Sequence, residues 1–151
     1  MTHSFHHMIM AEHSMFQKKL LAKLKGTGLT IGQPKILDYL NTHNGTSQKE
    51  IARACYIEPA TLTSLINRME GSGLVERRML NGNRRSFYIF LTPKGQEQAR
   101  LVAEAFSQLE EEAFRGIPEQ KRKEFIHLLI QICSNSSENT LQNEEEFIWK
   151  N

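Results

Sequence analysis

Thr61, Thr63, Ser64, Asn67 and Arg68 place hydroxyl, amide and guanidinium groups within eight consecutive residues. Such short polar donors suit the edges of bases, because in the major groove every base pair shows a distinct pattern of donors and acceptors. Thr61, Ser64 and Arg68 recur at spacings of three and four, so a helix brings them to one face. Leu62, Leu65, Ile66 and Met69 then fall on the other. Downstream lie Arg77 and Arg78, followed by Arg84 and Arg85 beside an Asn81-Gly82-Asn83 turn. An arginine at a hairpin tip can enter a narrow minor groove, where the potential is most negative. Ser47 and Gln48 can offer backbone N–H groups to a phosphate, and Arg78 a charge to the same backbone.

Other chemistry is sparse. Serines and histidines occur, but none is marked as a nucleophile with an ordered base, and no glycine loop would cradle a phosphate. No catalytic residue, metal site or cofactor is expected. His3 and His7 have the spacing of a two-point metal contact, with only Glu12 near them, and read as a solvated N-terminal face. Cys55 and Cys133 have no basic residue adjoining them to lower a thiol pKa, and both read as inert buried thiols. Met8, Met10 and Met15 are adaptable fillers. His13 interrupts an apolar stripe. It either lines a ligand cavity between the first helix and the reading lobe, or is a hydrogen-bonded histidine in a dimer core.

The elements that must carry these residues follow from periodicity and stop signals. Phe5, Ile9, Phe16, Leu20 and Leu24 mark a first helix, ended by Lys25-Gly26-Thr27-Gly28. A second opens at Gln33-Pro34, buries Ile36, Leu37 and Leu40, and ends at His43-Asn44-Gly45 with glycine as the cap. Ser47 and Glu50 form a capping box for a short third helix to Ala54. Glu58-Pro59 starts the fourth, stopped by Gly71-Ser72-Gly73. Leu74–Met79 and Ser86–Thr92 read as strands around a four-residue turn, Asn81 to Arg84. Thr92-Pro93 opens a long helix to about Phe114, with Leu101, Val102, Ala105, Phe106 and Leu109 inside. Pro118 opens a last one to about Cys133, apolar in two rows, Phe125, Leu129 and Ile132 beside Ile126 and Ile130. The expected order is four helices, two strands and two helices. That is a mainly α chain with a small β-hairpin wing, the outline of a winged helix-turn-helix.

At 151 residues one domain with its own core is expected. Residues 30–92 form the reading lobe, 1–28 and 93–135 the flanking helices, and 136–151 a loose tail. No run of about 18 apolar residues appears and the N-terminus lacks a secretory pattern, so no membrane contact and a cytoplasmic protein are expected. The net charge of +2 is unevenly spread. Residues 47–92 hold seven Lys and Arg against four Asp and Glu, whereas residues 133–151 hold one against four. A cationic middle suits a partner with a phosphate backbone, and double-stranded DNA is the leading candidate.

The run IEPATLTSLINRMEGSGLVERR, followed by NRRSFYIFLTPKG, resembles the MarR family of bacterial transcriptional regulators. The matching positions are Glu58-Pro59, Thr61, Arg68-Met69-Glu70, Gly73-Leu74-Val75, Arg85 and Leu91-Thr92. The resemblance implies a homodimer without enzymatic activity, a repressor of a palindromic operator that answers to a small aromatic or lipophilic compound, an oxidant or a metal, with the first of these the effector expected here. It makes the first and last two helices the dimerisation region. The apolar surface of those helices, more than one small core can hide, points the same way. Three positions depart from the pattern: Asn83 stands where Asp is usual, and Ala60 and Ser64 where Ser and Arg are common. This helix therefore has fewer long donors. A winged-helix module that binds protein, with weak DNA binding or none, is the alternative.

Overall fold

The computed structural model describes residues 3–80, 82 and 85–137. Among them the elements are α1 (Phe5–Lys23), α2 (Gln33–Thr42), β1 (Thr46–Ser47), α3 (Gln48–Ala54) and α4 (Pro59–Gly71), then β2 (Val75–Arg78), β3 (Tyr88–Leu91), α5 (Pro93–Ala113) and α6 (Glu119–Ser136). The expected mainly helical winged-helix architecture is present, with one addition. β1 pairs antiparallel with β3, Thr46 opposite Ile89 and Ser47 opposite Tyr88, so the sheet has three strands in the order β1-β3-β2. Two residues carry no periodicity, which is why this strand is invisible in the sequence. The wing is also shorter in its strands than expected, since pairing stops at Arg78 opposite Tyr88 and leaves residues 79–87 as the connection. Asn81, Asn83 and Arg84 lie outside the described residues.

One compact unit spans Met1–Glu110. Its core joins Leu20 and Leu24 of the first helical region to Ile36, Leu37 and Leu40 of α2, the four inward residues of α4, Ile89 and Leu91 of β3, and Val102 and Leu109 of α5. Phe5 and Ile9, placed on the same stripe as Leu20, stay exposed in the single chain. α2 ends at Thr42 with His43 as its cap, so Gly45 does not cap it. Gly45, at φ 79°, turns the chain into β1, and a Cβ there would lie 2.6 Å from the Phe90 ring.

Where α4 ends, the chain is locked to the start of α5. Leu74 N–H donates to the Met69 carbonyl (2.9 Å) and Gly73 N–H to that of Glu70 (3.0 Å), a paired closure made by a left-handed glycine. Thr92 then binds this corner through its own N–H, which reaches the Leu74 carbonyl at 3.1 Å, and through Oγ1, which donates to Gly73 at 2.5 Å. The same Oγ1 accepts from Gly95 N–H at 3.0 Å, the cap of α5.

The second unit, Glu111–Asn151, is described as far as residue 137. Phe114 meets Phe125 edge-on at 5.9 Å, and the Arg122 guanidinium sits 4.7 Å from the Phe114 centroid. α6 has no buried residue in the single chain, and Phe125, Ile126, Leu128, Ile130 and Ile132 are all exposed. Cys133, read from sequence as buried, is exposed there. The tail from 138 onward, with its Phe147-Ile148-Trp149 ending, lies outside the described residues.

Candidate nucleic-acid interface

The turn between α3 and α4 is set by a left-handed residue, Tyr56 at φ 52°. Tyr56 N–H donates to Arg53 (3.3 Å) and Ile57 N–H to Ala52 (2.9 Å), the closure usually made with glycine. A Cβ in that region costs on the order of 1 kcal/mol, which the buried Ile57 offsets by anchoring the turn in the core. At the other end of α3, Ser47 Oγ accepts from Glu50 N–H at 3.2 Å, as the capping box requires. Gln48 N–H donates to the Phe87 carbonyl of the wing at 2.9 Å. The Gln48 backbone N–H, one of the two expected to face a phosphate, is thus already used within the protein. The Gln48 side chain donates from Nε2 to Thr63 Oγ1 at 2.9 Å, tying α3 to α4.

α4 buries Leu62, Leu65, Ile66 and Met69 as its periodicity demands, and Thr61, Thr63, Ser64, Asn67 and Arg68 are exposed. Their freedom differs. Thr61, Ser64 and the Arg68 guanidinium have no side-chain partner among the described residues. Thr63 Oγ1 donates to the Pro59 carbonyl (3.0 Å) while accepting from Gln48. Asn67 Oδ1 accepts from Arg77 at 2.6 Å. In the wing, Arg78 lies on the outer face, bonded to Glu76 (3.2 Å) with its guanidinium 4.2 Å from the Phe90 centroid. Arg85 is exposed beyond the start of β3. Donors from α3, α4 and the wing are brought together around one exposed helix face.

A separate cavity of about 210 Å³ lies among α1, the start of α2 and α5, lined by His13, Phe16 and Leu20, by Gly32 and Lys35, and by Phe106. His13 is exposed in the single chain and stands at the wall of this cavity. Cys55 is half-buried and its Sγ donates to the Lys35 carbonyl at 3.7 Å. Burial pushes its thiol up to about 11, against the weaker opposing pull of Lys35, so it stays protonated and unreactive at neutral pH. Among the described residues no group of three or more His, Cys, Asp or Glu is placed to hold a metal ion.

Residues 29–87 match the family profile described as MarR family. An HTH-type transcriptional regulator of Bacillus subtilis, YwoH, is 28% identical over 122 residues, covering 81% of this chain and 88% of its own. The chain matches the MarR family over that segment, which runs from before α2 to the wing. It is a transcriptional regulator of the winged helix-turn-helix type and not an enzyme. The homoprotocatechuate degradative operon repressor of Escherichia coli is 36% identical to it over 100 residues, 62% of this chain and 64% of that one. In fold, a MarR family regulator of Listeria monocytogenes solved with a 26-mer DNA superposes with a TM-score of 0.83 over 89% of both chains, at 19% identity.

Two residues beside this helix face have structural roles that the sequence reading does not give them. Arg77 was grouped with the wing cations, yet it alternates with Glu76 and Arg78 and so points inward, to α4. The period of two was the available signal. Gly95 was read only as the end of a motif. A Cβ on it would lie 1.9 Å from the Leu74 carbonyl oxygen, a contact between distant backbones that no local pattern announces.

Proposed function

We propose that this chain is a homodimeric repressor that reads a palindromic operator and releases it when a small aromatic or lipophilic compound binds. The observation that carries the reading is the exposed row Thr61, Ser64 and Arg68 on α4, with Gln48 on one side and the wing on the other. In this assignment Thr61, Thr63, Ser64, Asn67 and Arg68 face the major groove, Arg84 and Arg85 the minor groove, and Ser47, Gln48 and Arg78 the backbone. Residues 30–92 are the reading lobe. Residues 1–28 and 93–135 supply the apolar faces that a second copy covers, which spaces the half-sites about one helical turn, roughly 10 base pairs, apart. Such a reader works in the cytoplasm, and no described helix is long and apolar enough to cross a membrane.

Binding of fluorescent operator duplexes should fall steeply with salt. The log–log slope should be several units, about −0.9 for each phosphate contact. Arg85→Ala removes one arginine from each copy, so it should flatten that slope by about one unit per protomer and leave the dimer intact. A chain that binds no duplex even at low salt, or an Arg85→Ala slope equal to the wild type, would remove the DNA reading or the wing assignment respectively. A protein-binding module would give the first result.

The cavity supports an effector of about one ring, since an apolar cavity near 150 Å³ already accepts benzene. His13 and Lys35 at its wall suit an acidic substituent. Gly32 joins the cavity to the reading helix, for its Cα hydrogen faces Leu65 of α4, whose Cδ1 would be 3.0 Å from any Cβ placed there. Benzoate and other one-ring acids at millimolar concentration should therefore lower operator affinity several-fold. An unchanged operator affinity across such a panel would exclude this cavity as the effector site.

A further inference from the structure

The inner face of the wing sheet carries a charge. Val75 opposes Leu91 and Arg77 opposes Ile89, so Arg77 occupies a position where its neighbours are core residues. Its side chain is only 19% exposed. It reaches α4 rather than solvent: Nη1 donates to Glu70 Oε1 at 3.2 Å, Nη2 to Asn67 Oδ1 at 2.6 Å, and its backbone N–H to Glu70 Oε2 at 3.2 Å. Phe87 covers the guanidinium, its centroid 5.9 Å away. Nε is buried without a partner.

We propose that Arg77 is a specificity-determining positioning residue, which fixes the hand of the Asn67 amide and so decides which base Asn67 can read. The inference rests on the placement of α4 in the major groove. Guanidinium is a donor only, so the amide atom facing it must be the oxygen. The NH2 is then left on the other branch of an exposed side chain. An asparagine reads adenine by using both ends at once, accepting from N6 and donating to N7. Oδ1 keeps a second lone pair, but the bond to Arg77 turns it toward the wing, so the oxygen and the NH2 cannot both face one base and that two-point contact is closed. A lone NH2 donor instead fits guanine (O6, N7) or thymine (O4), whereas on adenine its one acceptor, N7, stands beside the N6 donor that repels it. The Glu70 pair keeps Arg77 from following the base.

The test is selection from a duplex library with a randomised core, sequenced after binding to the wild type and to Arg77→Met, Asn67→Ala and Asn67→Asp. Asn67→Ala identifies the base pair that Asn67 faces, as the one whose preference it erases. At that pair the wild type should enrich guanine or thymine. Arg77→Met frees Oδ1 and should move enrichment toward adenine by about fivefold or more, the low end of a good two-point contact. Should Arg77→Met fold poorly, Asn67→Asp keeps an acceptor for Arg77 but loses the NH2, and its guanine or thymine preference should vanish. A uniform fall in affinity with the same base preferences in both Arg77→Met and Asn67→Asp would overturn the proposal and leave Arg77 a brace. A wild type that enriches no sequence would instead overturn the DNA reading on which it rests.

Discussion

Gly95→Ala is expected to destabilise the protein by about 3 kcal/mol, at the upper end of what overpacking costs. The sign is diagnostic. In a helix interior, glycine to alanine normally stabilises by up to about 1 kcal/mol. Here the added methyl would meet Leu74 O at 1.9 Å, Leu74 C at 2.9 Å and Leu91 Cδ2 at 3.3 Å. No rotamer change relieves a clash with backbone. α5 must shift, and the shift opens the bonds from Thr92 N–H to Leu74 (3.1 Å) and from Lys94 Nζ to Ser72 (2.8 Å). Against a typical total of about 5–15 kcal/mol the loss is severe. Thermal unfolding should fall by roughly 10 °C, and urea unfolding should show a lower midpoint at an unchanged slope. A variant that melts with the wild type would mean that Gly95 and Leu74 do not approach this closely.

The other large effect is expected from Leu128→Asp on α6. Leu128 is 59% exposed in the single chain, so a charge there costs the isolated fold little. It shares a row with Phe125 and Ile132 at helical spacing, and a second copy that covers this row would bury the carboxylate. Sedimentation should find a folded monomer. Operator affinity should then fall by about 10²–10⁴, because linked half-site binding gains that much from effective concentration. A folded dimer with full affinity would place the interface elsewhere.

How much of this could be read beforehand depends on the kind of contact. The inward residues of α4, its stop at Gly71 and the Ser47–Glu50 cap follow from local period and local chemistry, and each stands as read. The exposure of the five donor residues on α4 follows from the same period. What they touch does not. Gln48 and Thr63 are fifteen residues apart, and Asn67 and Arg77 ten, so their bonds exist only once α3, α4 and the wing have packed. β1 was missed because the strand is defined by its partner β3, and Gly95 because its reason is a carbonyl on another element. The exposure of Cys133 belongs to a helix whose apolar rows the sequence marks, and which stays uncovered in the single chain.

The inward Arg77 also bears on how the wing avoids misfolding. A hairpin with strands of four residues has little to choose one pairing over its neighbour. Sliding β2 by one residue would turn Glu76 and Arg78 toward Ile66 and Met69 and send Val75 into water. Slid one way, it would also set the Glu76 carboxylate against Glu70; slid the other way, Arg78 would take the place of Arg77. The ion pair between Arg77 and Glu70 makes the first of these wrong hairpins lose its apolar seal and its counter-charge at once, and leaves the apolar seal alone to reject the second, so one half-buried guanidinium guards the sheet against a slip in one direction.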